Sequence, residues 1–272
     1  MFQVAIVGVA ESHLEVERLL FQFLHQKMLM NQLPREEVAR SAEADSFGLP
    51  SSATALNSSH LRHSMAGPWI GAEMLHRGAE AVVHAGTWMG RDAVLKQREP
   101  RTWRHPDLDA RLTKSRMSAE IRLLRRLHLS GSPVPELLAT DVSAGWMITS
   151  RMPGGPLFDH LRGDGDSEML EELGAIIRQI HAAGISHGDL TTHNILWDSK
   201  DGLSIIDFGL SQITDDLEPM GLDLQVLNEC LKASHPSIEG AIDRVISGYL
   251  TQGGKDVVAR FNDIRGRVRY HG

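Results

Sequence analysis

The sequence predicts a two-lobed α+β fold in which a strand-rich lobe precedes a helical lobe. Alternating, strand-like patterns with turn signals occur between residues 72 and 151, around a single helical pattern, and helical spacing predominates from residue 167 onward. The chain has 272 residues, of which 42% are hydrophobic, so it can bury a substantial core. We expect a connection near residues 151–156 and a cleft between the lobes.

The individual elements follow from local patterns. The segments AEAVVHAGTWMG and RDAVLKQR alternate on either side of Gly-Arg-Asp, which predicts a hairpin. Helical spacing over residues 107–129 ends at Ser130-Gly131, a common stop signal, and a second amphipathic helix ends at Gly184. The other predicted elements are strands at 136–141, 145–151, 195–198 and 203–206, the helix at 167–183 that Gly184 ends, and helices across 220–265.

The N-terminal extension, 1–68, has weaker patterning than the rest of the chain. Residues 11–31 have helical spacing, but the later SAEADSFGLPSSATALNSSHLRHS is small and polar, as in a linker or a disordered segment. This extension is either an appendage of the folded protein or translated upstream sequence that the working protein lacks. The predicted domains are the extension 1–68, a first lobe 69–152 and a second lobe 153–272 with an Arg-rich tail.

Composition indicates a soluble, cytoplasmic protein without a membrane partner. No apolar run approaches the roughly 18 residues that a membrane span requires, and the first residues contain no basic leader or clear cleavage site. The single cysteine, Cys230, has apolar neighbours in VLNECLKA, which favours a buried structural thiol and a reducing compartment. The formal charge of −7 argues against a nucleic-acid-binding protein that is basic throughout.

Positive charge is nevertheless concentrated in two stretches. Residues 98–126 hold nine Lys and Arg against four Asp and Glu, and the C-terminal end is also rich in Arg. Such stretches are most often solvated helix faces, but two of them on an acidic chain favour an anionic partner. The candidate contacts to nucleic acid or to a partner protein are Arg104, Arg111, Arg116, Arg265, Arg267 and Arg269.

Five residues in a fixed order carry the functional prediction. Lys96 ends the predicted strand AVLK, and Glu120 lies on the helix that follows. The stretch HGDLTTHN has the spacing H-x-D-x-x-x-x-N with Asp189 and Asn194, and Asp207 opens an Asp-Phe-Gly sequence just past the next predicted strands. Each motif alone is most often a surface pair or a polar turn, whereas the whole set at this spacing indicates phosphoryl transfer.

The residue types fit the needs of that reaction. An ammonium oriented by a carboxylate is a fixed positive charge for nucleotide phosphates, and this assigns Lys96 and Glu120. A base or orienting group must lie beside the nucleophile, which assigns Asp189. Acidic and amide oxygens bind the ion that neutralises the phosphates, which assigns Asn194 and Asp207 to Mg²⁺ and to the ATP site.

From about residue 74 to its end, the chain resembles a known family. The segments that carry the resemblance are GAEAVVHAG, VLKQREP, WRHPDLDARLTKSR, SAEIRLLRRL, HGDLTTHN, IDFGLS and LDLQVL. They are similar to the small atypical kinase subunit of the KEOPS complex, the Bud-type or PRPK-type kinases. The resemblance implies a small protein-kinase-like fold with a reduced second lobe, use of ATP and Mg²⁺, and Ser/Thr kinase activity in isolation.

The resemblance also implies a setting for this activity. Within the complex, such a subunit is an ATPase that supports synthesis of threonylcarbamoyl-adenosine in tRNA. The implied partners are the catalytic subunit of the complex, a small dimerising subunit, and tRNA, which would be contacted indirectly or through the basic stretches.

Several features depart from ordinary protein kinases. HRGAEAVVHAG contains no G-x-G-x-x-G, so the backbone from Gly78 through Ala79 and Glu80 to Ala81 would have to contact the ATP phosphates. Gly188 occupies the position where regulated kinases carry an Arg that binds a phosphorylated loop, which argues against that kind of switch. The sequence after Gly209 is short and has no A-P-E motif, so we expect a partner protein to supply what the reduced lobe lacks.

Two departures concern the family itself. The family loop normally has Ser where this chain has His193, next to the predicted metal ligand, and the change is either tolerated variation or an altered hydrogen bond. Pro219 and Met220 stand where the family carries Asp and Lys, which puts the contacts of that segment in doubt.

Two other functions stay open. A small-molecule phosphotransferase of the aminoglycoside or choline type also uses HGD-x-x-x-x-N, although its helical lobe is larger and TWRHPDLDARLTKSR is absent there. A non-catalytic pseudokinase scaffold would not need all five catalytic positions. Release of phosphate from ATP with Mg²⁺, with and without the catalytic subunit of the complex, discriminates among these functions.

Overall fold

The computed structural model describes residues 69–78, 81–100, 105–162 and 169–269. The predicted extension 1–68 lies outside the described residues, as do Ala79, Glu80, Arg104 and the side chain of Arg269. In chain order the first lobe contains β1 (Trp69–Arg77), β2 (Ala81–Trp88), β3 (Arg91–Arg98), α1 (Pro106–Leu129), β4 (Leu137–Asp141) and β5 (Trp146–Ser150). The second contains β6 (Gly155–Pro156), α2 (Leu157–His160), α3 (Met169–Ala182), β7 (Ile185–Ser186), β8 (Ile195–Asp198), β9 (Gly202–Ile205), β10 (Gln212–Ile213), α4 (Leu217–Ser234), α5 (Ala241–Leu250) and α6 (Lys255–Arg269).

A five-stranded antiparallel sheet with the order β1-β2-β3-β5-β4 forms the first lobe. The predicted hairpin is confirmed as β2 and β3, with Trp88 opposite Arg91. Its turn lies at Met89-Gly90, one residue earlier than Gly-Arg-Asp suggested. Both turn residues have positive φ, 52° and 79°, as a two-residue turn that matches the twist of the strands requires.

Helix α1 matches its predicted bounds to within one residue. Pro106 starts it without loss of a needed hydrogen bond, and acidic residues fill its first turn. At its C-terminus the Ser130 N–H donates to the Arg126 carbonyl, and Gly131 has a φ of 70°. The buried face carries Met117, Glu120, Ile121, Leu123, Leu124 and Leu127, so a carboxylate lies among apolar side chains.

The second lobe is helical, as predicted, and its core is continuous with that of the first lobe. Buried residues from α1, β5, the short strands and α3 to α6 belong to one apolar cluster that includes Met117, Leu173 and Phe261. Cys230 is buried within α4, which confirms the expected structural position of this thiol. Over the described residues, no helix is both long enough and apolar enough to cross a membrane.

Short strands hold the polar loops of the second lobe. Strands β6, β8 and β9 form one small sheet, and β7 pairs with β10. The loop 187–194 therefore lies between β7 and β8, and the loop that begins at Ile206 lies between β9 and β10. The pairs β6–β8 and β7–β10 and the short α2 were not predicted, because such short segments show no periodicity.

Helices α3 and α5 cross at two glycines. A Cβ added to Gly174 would lie 1.9 Å from the Val245 carbonyl oxygen, and one added to Gly248 would lie 1.8 Å from the Glu171 carbonyl oxygen. Both obstacles are backbone atoms, which move only if a helix moves. Glycine at these two positions thus permits the close approach of the two helices.

We expect Gly174→Ala to lower the free energy of unfolding by about 1–3 kcal/mol, because the new methyl group forces the helices apart. Urea denaturation followed by circular dichroism measures the change. Gly266→Ala in α6 is the matched control, since no atom lies within 4 Å of its added Cβ. That control is expected to gain about 0.5–1 kcal/mol from helix propensity, and equal shifts for both variants would contradict the assignment.

Candidate active site

The predicted pair of Lys96 and Glu120 is formed. Lys96 Nζ on β3 donates to Glu120 Oε1 on α1 at 2.8 Å. The Glu120 side chain is 5% exposed and that of Lys96 20%, so the pair is shielded from water on the side of the core. Charges at such sites interact more strongly than on the surface, and they fix the helix relative to the strand.

Lys96 also reaches the second predicted acidic group. Its Nζ donates to Asp207 Oδ1 at 3.0 Å, although the two residues are 111 positions apart in the chain. Burial disfavours the Lys96 ammonium, but the carboxylates of Glu120 and Asp207 outweigh burial, and the pKa of Lys96 is raised. The Lys96 ammonium in turn lowers the pKa of Asp207 to about 2, so that carboxylate is ionised at neutral pH.

Asp207 has a strained backbone. Its φ is 61°, and Met89 is the only other described residue besides glycine with a positive φ. Aspartate tolerates this region better than branched residues do, but it still costs of the order of 1 kcal/mol. The conformation places the carboxylate against Lys96, with the Gly209 N–H donating to Oδ1 at 3.4 Å.

The loop 187–194 brings Asp189 and Asn194 together. Asn194 Nδ2 donates to the Asp189 carbonyl oxygen at 2.8 Å and to Asp189 Oδ2 at 3.1 Å. The Ile206 N–H donates to the Asn194 carbonyl oxygen at 2.9 Å, which places this loop directly beside the residue that precedes Asp207. Asp189, Asn194 and Asp207 thus belong to neighbouring backbone segments.

His187 fixes the geometry of the same loop. The Asp189 N–H donates to His187 Nδ1 at 3.2 Å, so Nδ1 is the acceptor and Nε2 carries the proton. Nε2 then donates to the Ile206 carbonyl oxygen at 3.0 Å. The imidazole therefore connects the loop of Asp189 to the strand end that leads to Asp207.

A buried carboxylate on α4 anchors the loop from below. Asp223, which is 1% exposed, accepts the His187 N–H at 2.6 Å and the Gly188 N–H at 2.7 Å. His181 Nε2 lies 3.2 Å from the same carboxylate, and its Nδ1 lies 2.8 Å from the Tyr249 hydroxyl. Since the Asp223 carboxylate can only accept, Nε2 carries a proton, and in the neutral ring Nδ1 accepts from the Tyr249 hydroxyl. Burial raises the pKa of Tyr249.

Gly188 is required by geometry. Its φ is 79°, and an added Cβ would lie 2.4 Å from the Leu210 carbonyl oxygen. An arginine does not fit here without a backbone change. This provides a structural reason for the absence of the arginine that regulated kinases use to bind a phosphorylated loop.

The residues present fit a magnesium ion bound together with a nucleotide. Asn194 uses its amide nitrogen on Asp189, which leaves its oxygen available as a ligand, and Asp207 is ionised. No group of three or more His, Cys, Asp or Glu suited to a metal exists among the residues that the structure describes. Mg²⁺ typically takes one or two protein oxygens and completes its shell with phosphates and water, which matches this small donor set.

The β1–β2 connection, which the sequence predicts to contact the ATP phosphates, begins and ends near the strand end that carries Lys96. Val83 pairs with Lys96 and Ala81 pairs with Arg98, so the β1–β2 connection is next to the strand end that holds Lys96. The Gly78 N–H donates to the Ala81 carbonyl oxygen at 3.0 Å, and this hydrogen bond joins Gly78, next to the end of β1, to the start of β2. Ala79 and Glu80 fall outside the described residues, and their contact with phosphates stays a prediction.

His193 packs against an aromatic ring. It stacks on Phe158 of α2 with ring centroids 4.0 Å apart, and the Phe158 N–H donates to the Thr192 carbonyl oxygen at 3.0 Å. Burial lowers the pKa of His193, so the neutral ring predominates at pH 7. His193, at the position where the family normally has Ser, is thus accommodated by stacking on Phe158, and this contact stabilises the loop beside Asn194.

Among the predicted basic residues whose side chains the structure describes, those on α1 do not share one face. Arg111 and Arg116 both lie exposed on α1, but five residues correspond to a rotation of about 140° around a helix, so they occupy different faces. Arg265 and Arg267 lie on α6. The exposed cations that share a face with Arg111 are Lys114, Arg122, Arg125 and Arg126.

The prediction from sequence did not include three parts of the site. Arg98 forms a second ion pair with Glu120, a role that two-residue spacing from Lys96 on one strand could have suggested. Asp223 and the pair of His181 and Tyr249 anchor the loop 187–194, and no local pattern indicates that role. Near the segment with Pro219, Glu218 instead pairs with Arg260 of α6, so this segment has a contact of its own.

Two family models and several curated relatives match long stretches of this chain. Residues 72–185 match the phosphotransferase enzyme family and residues 157–225 match the lipopolysaccharide kinase (Kdo/WaaP) family. The EKC/KEOPS complex subunit BUD32 of Gibberella zeae is 32% identical over 72% of this chain and 85% of its own length. The EKC/KEOPS complex subunit Tp53rkb of Mus musculus is 30% identical over 73% of this chain and 87% of its own length.

A longer relative and a solved structure extend the comparison. A probable bifunctional tRNA threonylcarbamoyladenosine biosynthesis protein of Methanothermobacter thermautotrophicus is 35% identical over 77% of this chain, which spans only 39% of that protein. The Rio2 kinase of Chaetomium thermophilum, solved as an ADP/Mg²⁺-phosphoaspartate complex, has a TM-score of 0.54 at 17% identity. The match covers 86% of this chain and 85% of Rio2, and it shows a shared fold.

The fold and the site define a small, atypical protein-kinase-like phosphotransferase. Within that class, the chain belongs to the family of the EKC/KEOPS complex subunit BUD32, since relatives at 30–32% identity are matched over 85–87% of their length.

Asp223→Asn should lower the free energy of unfolding by about 1–3 kcal/mol, because the amide group offers one acceptor where two buried N–H groups need two. Urea denaturation gives the stability, and amide exchange of His187 and Gly188 locates the loss. Asp256→Asn on the exposed start of α6 is the control and should stay within about 0.5 kcal/mol of the parent. An unchanged exchange rate at His187 and Gly188 would show that Asp223 does not hold the loop.

Proposed function

We propose that this chain is an ATP- and Mg²⁺-dependent Ser/Thr kinase and ATPase that works within a KEOPS-type complex and supports threonylcarbamoyl-adenosine formation in tRNA. One observation carries the enzymatic part of this proposal. The ammonium of Lys96 is held between Glu120 at 2.8 Å and Asp207 at 3.0 Å, beside the loop of Asp189 and Asn194. Such a set of charges suits the binding and transfer of a phosphoryl group.

The residues would divide the work as follows. Lys96, held by Glu120, binds the α- and β-phosphates of ATP. Asn194 and Asp207 hold Mg²⁺, which when bound neutralises the charge that develops on the phosphates. Asp189 accepts a hydrogen bond from the attacking hydroxyl or water and orients it toward the γ-phosphate, with its own carboxylate held by Asn194 at 3.1 Å.

Activity should not depend on phosphorylation of the chain itself. The ion pair that switched kinases form on activation already exists here. Gly188 supplies no cation next to Asp189 to bind a phosphorylated loop. A partner protein is therefore the better candidate for control of turnover.

The relatives support the assignment to a complex. Two are named as subunits of the EKC/KEOPS complex, and a third is named as a bifunctional protein of tRNA threonylcarbamoyladenosine biosynthesis. We infer that this chain acts with the catalytic subunit of such a complex and with a small dimerising subunit. The match to the phosphotransferase family covers the ATP-binding part that small-molecule kinases share, so it does not favour a small-molecule substrate over this proposal.

Contact with tRNA would use the exposed cations of α1. Arg111 and Arg122 lie eleven residues apart, which corresponds to about three helical turns and nearly the same face. Such a row of cations binds the phosphates of a nucleic acid without reading its sequence.

Asp189→Asn is expected to lower kcat for Mg²⁺-dependent ATP hydrolysis by about 10²–10⁴-fold, because the amide cannot accept the proton of the nucleophile. ATP affinity should change little, since Asp189 acts at the reacting atoms. Phosphate release and calorimetric ATP binding measure the two quantities. Asp201→Asn, in the exposed turn between β8 and β9, is the control, and equal hydrolysis by Asp189→Asn and the parent would refute the assignment.

Charge reversal on one face of α1 tests the tRNA contact. The double variant with Arg111→Glu and Arg122→Glu should bind tRNA at least about tenfold more weakly, with a smaller slope of log affinity against log salt. The control with Arg244→Glu and Lys255→Glu carries the same net charge change on exposed positions of α5 and α6. Similar losses for both variants would indicate an effect of net charge alone.

A further inference from the structure

Glu120 has a second cationic partner. Arg98 follows Lys96 by two residues on β3, so both side chains project from the same face of the sheet. Arg98 Nη2 donates to Glu120 Oε2 at 3.0 Å, while Lys96 Nζ donates to Oε1 at 2.8 Å. Each oxygen of one carboxylate is therefore held by a different cation.

The arginine is as deeply buried as its partner. The side chains of Arg98 and Glu120 are 6% and 5% exposed. Burying a guanidinium is costly unless ion pairing and hydrogen bonds compensate, so this contact is unlike the exposed ion pair that Arg91, on the same strand, forms with Glu136. With Asp207 included, the cations of Lys96 and Arg98 face the carboxylates of Glu120 and Asp207.

We propose that Arg98 is a positioning residue of the nucleotide site, whose guanidinium fixes the Glu120 carboxylate on β3 and so keeps Lys96 directed at the phosphates of an arriving nucleotide. This inference rests on the proposed function, since it concerns the same phosphate site. In this proposal Arg98 acts through Glu120 and is assigned no contact of its own with the nucleotide or the ion.

The chemistry of the two cations explains why one alone is insufficient. Lys96 is a flexible chain with a compact charge, and its Nζ is shared between Glu120 and Asp207. When phosphates and an ion share the Lys96 ammonium and the Asp207 carboxylate, the hold of Lys96 on Glu120 weakens, and Arg98 is then the partner that keeps Glu120 in place. The planar guanidinium keeps that buried carboxylate paired throughout the cycle.

The same contact opposes a common form of kinase regulation. Switched kinases break the Lys–Glu pair by moving the helix that carries the Glu. Here such a movement of α1 would also break a buried ion pair that is independent of nucleotide, which costs several-fold more than breaking an exposed one. The second pair therefore favours a permanently assembled phosphate site.

The test compares ATP with adenosine, which lacks phosphates. Arg98→Met should weaken binding of MgATP by about tenfold, the value of one charge-assisted hydrogen bond, and leave adenosine affinity within about twofold. Arg91→Met on the same strand is the matched control and should change neither affinity. Calorimetry on the full chain measures the affinities for MgATP and for adenosine. A general folding defect would weaken the binding of both ligands.

Two further variants keep the test decisive if Arg98→Met does not fold. Arg98→Lys retains the charge but not the planar fork, and should fall between the parent and Arg98→Met in ATP affinity. In a Glu120→Gln background, replacing Arg98 by Lys or Met should add little, because the carboxylate through which Arg98 acts is gone.

The possible outcomes separate the two hypotheses. If the parent binds MgATP no more tightly than adenosine, the proposed function fails. If the parent prefers MgATP but Arg98→Met and Arg98→Lys match Arg91→Met, or if their effects persist fully in the Glu120→Gln background, the positioning role of Arg98 is overturned.

Discussion

The buried carboxylate of Glu120 is the interaction on which the rest of the site depends. It joins α1 to β3 through Lys96 and Arg98, and through Lys96 it reaches Asp207 of the second lobe. A charged group in an apolar setting is tolerated only when its partners are fixed, so the surrounding packing and the ion pairs stabilise each other. The position of one carboxylate thus couples the helix, the sheet and the segment of Asp207.

The loop with Asp189 has an independent anchor. Asp223 on α4 binds two consecutive backbone N–H groups of the loop, and His187 connects the loop to the Ile206 carbonyl. All of these contacts are polar and lie within the apolar core of the second lobe, where an unpaired donor costs more than it does in water. The loop geometry is consequently set before any ligand binds.

The helices of the second lobe both form its core and support the loop of Asp189. Helices α3 to α6 contribute the core, and α4 also carries Asp223. Helices α3 and α5 approach each other closely at Gly174 and Gly248. The helices that follow Gly209 bury side chains such as Leu224 and Phe261 in this same core. Members of the same family are named as subunits of the EKC/KEOPS complex.

Much of this could be predicted from the sequence. Periods of 2 and 3.6 residues gave the hairpin of β2 and β3, helix α1 and helix α3 nearly to their bounds, because those segments are long enough to show a period. The order and spacing of Lys96, Glu120, Asp189, Asn194 and Asp207 indicated phosphoryl transfer. The described structure brings Lys96 together with Glu120 and Asp207, and Asp189 together with Asn194.

Only the tertiary structure decided which residues hold Glu120 and the loop of Asp189 in place. Asp223 is 35 residues from Gly188, and no local pattern links these two residues. Arg98 shares a strand face with Lys96, but only the packing of α1 on the sheet brings it to Glu120, 22 residues away. The sequence likewise placed Arg111 and Arg116 in one basic stretch, whereas the helix turns them to different faces. A residue's type and neighbours determine what chemistry it can perform, but packing alone decides which distant backbone or charge it meets, because burial makes only paired polar groups stable.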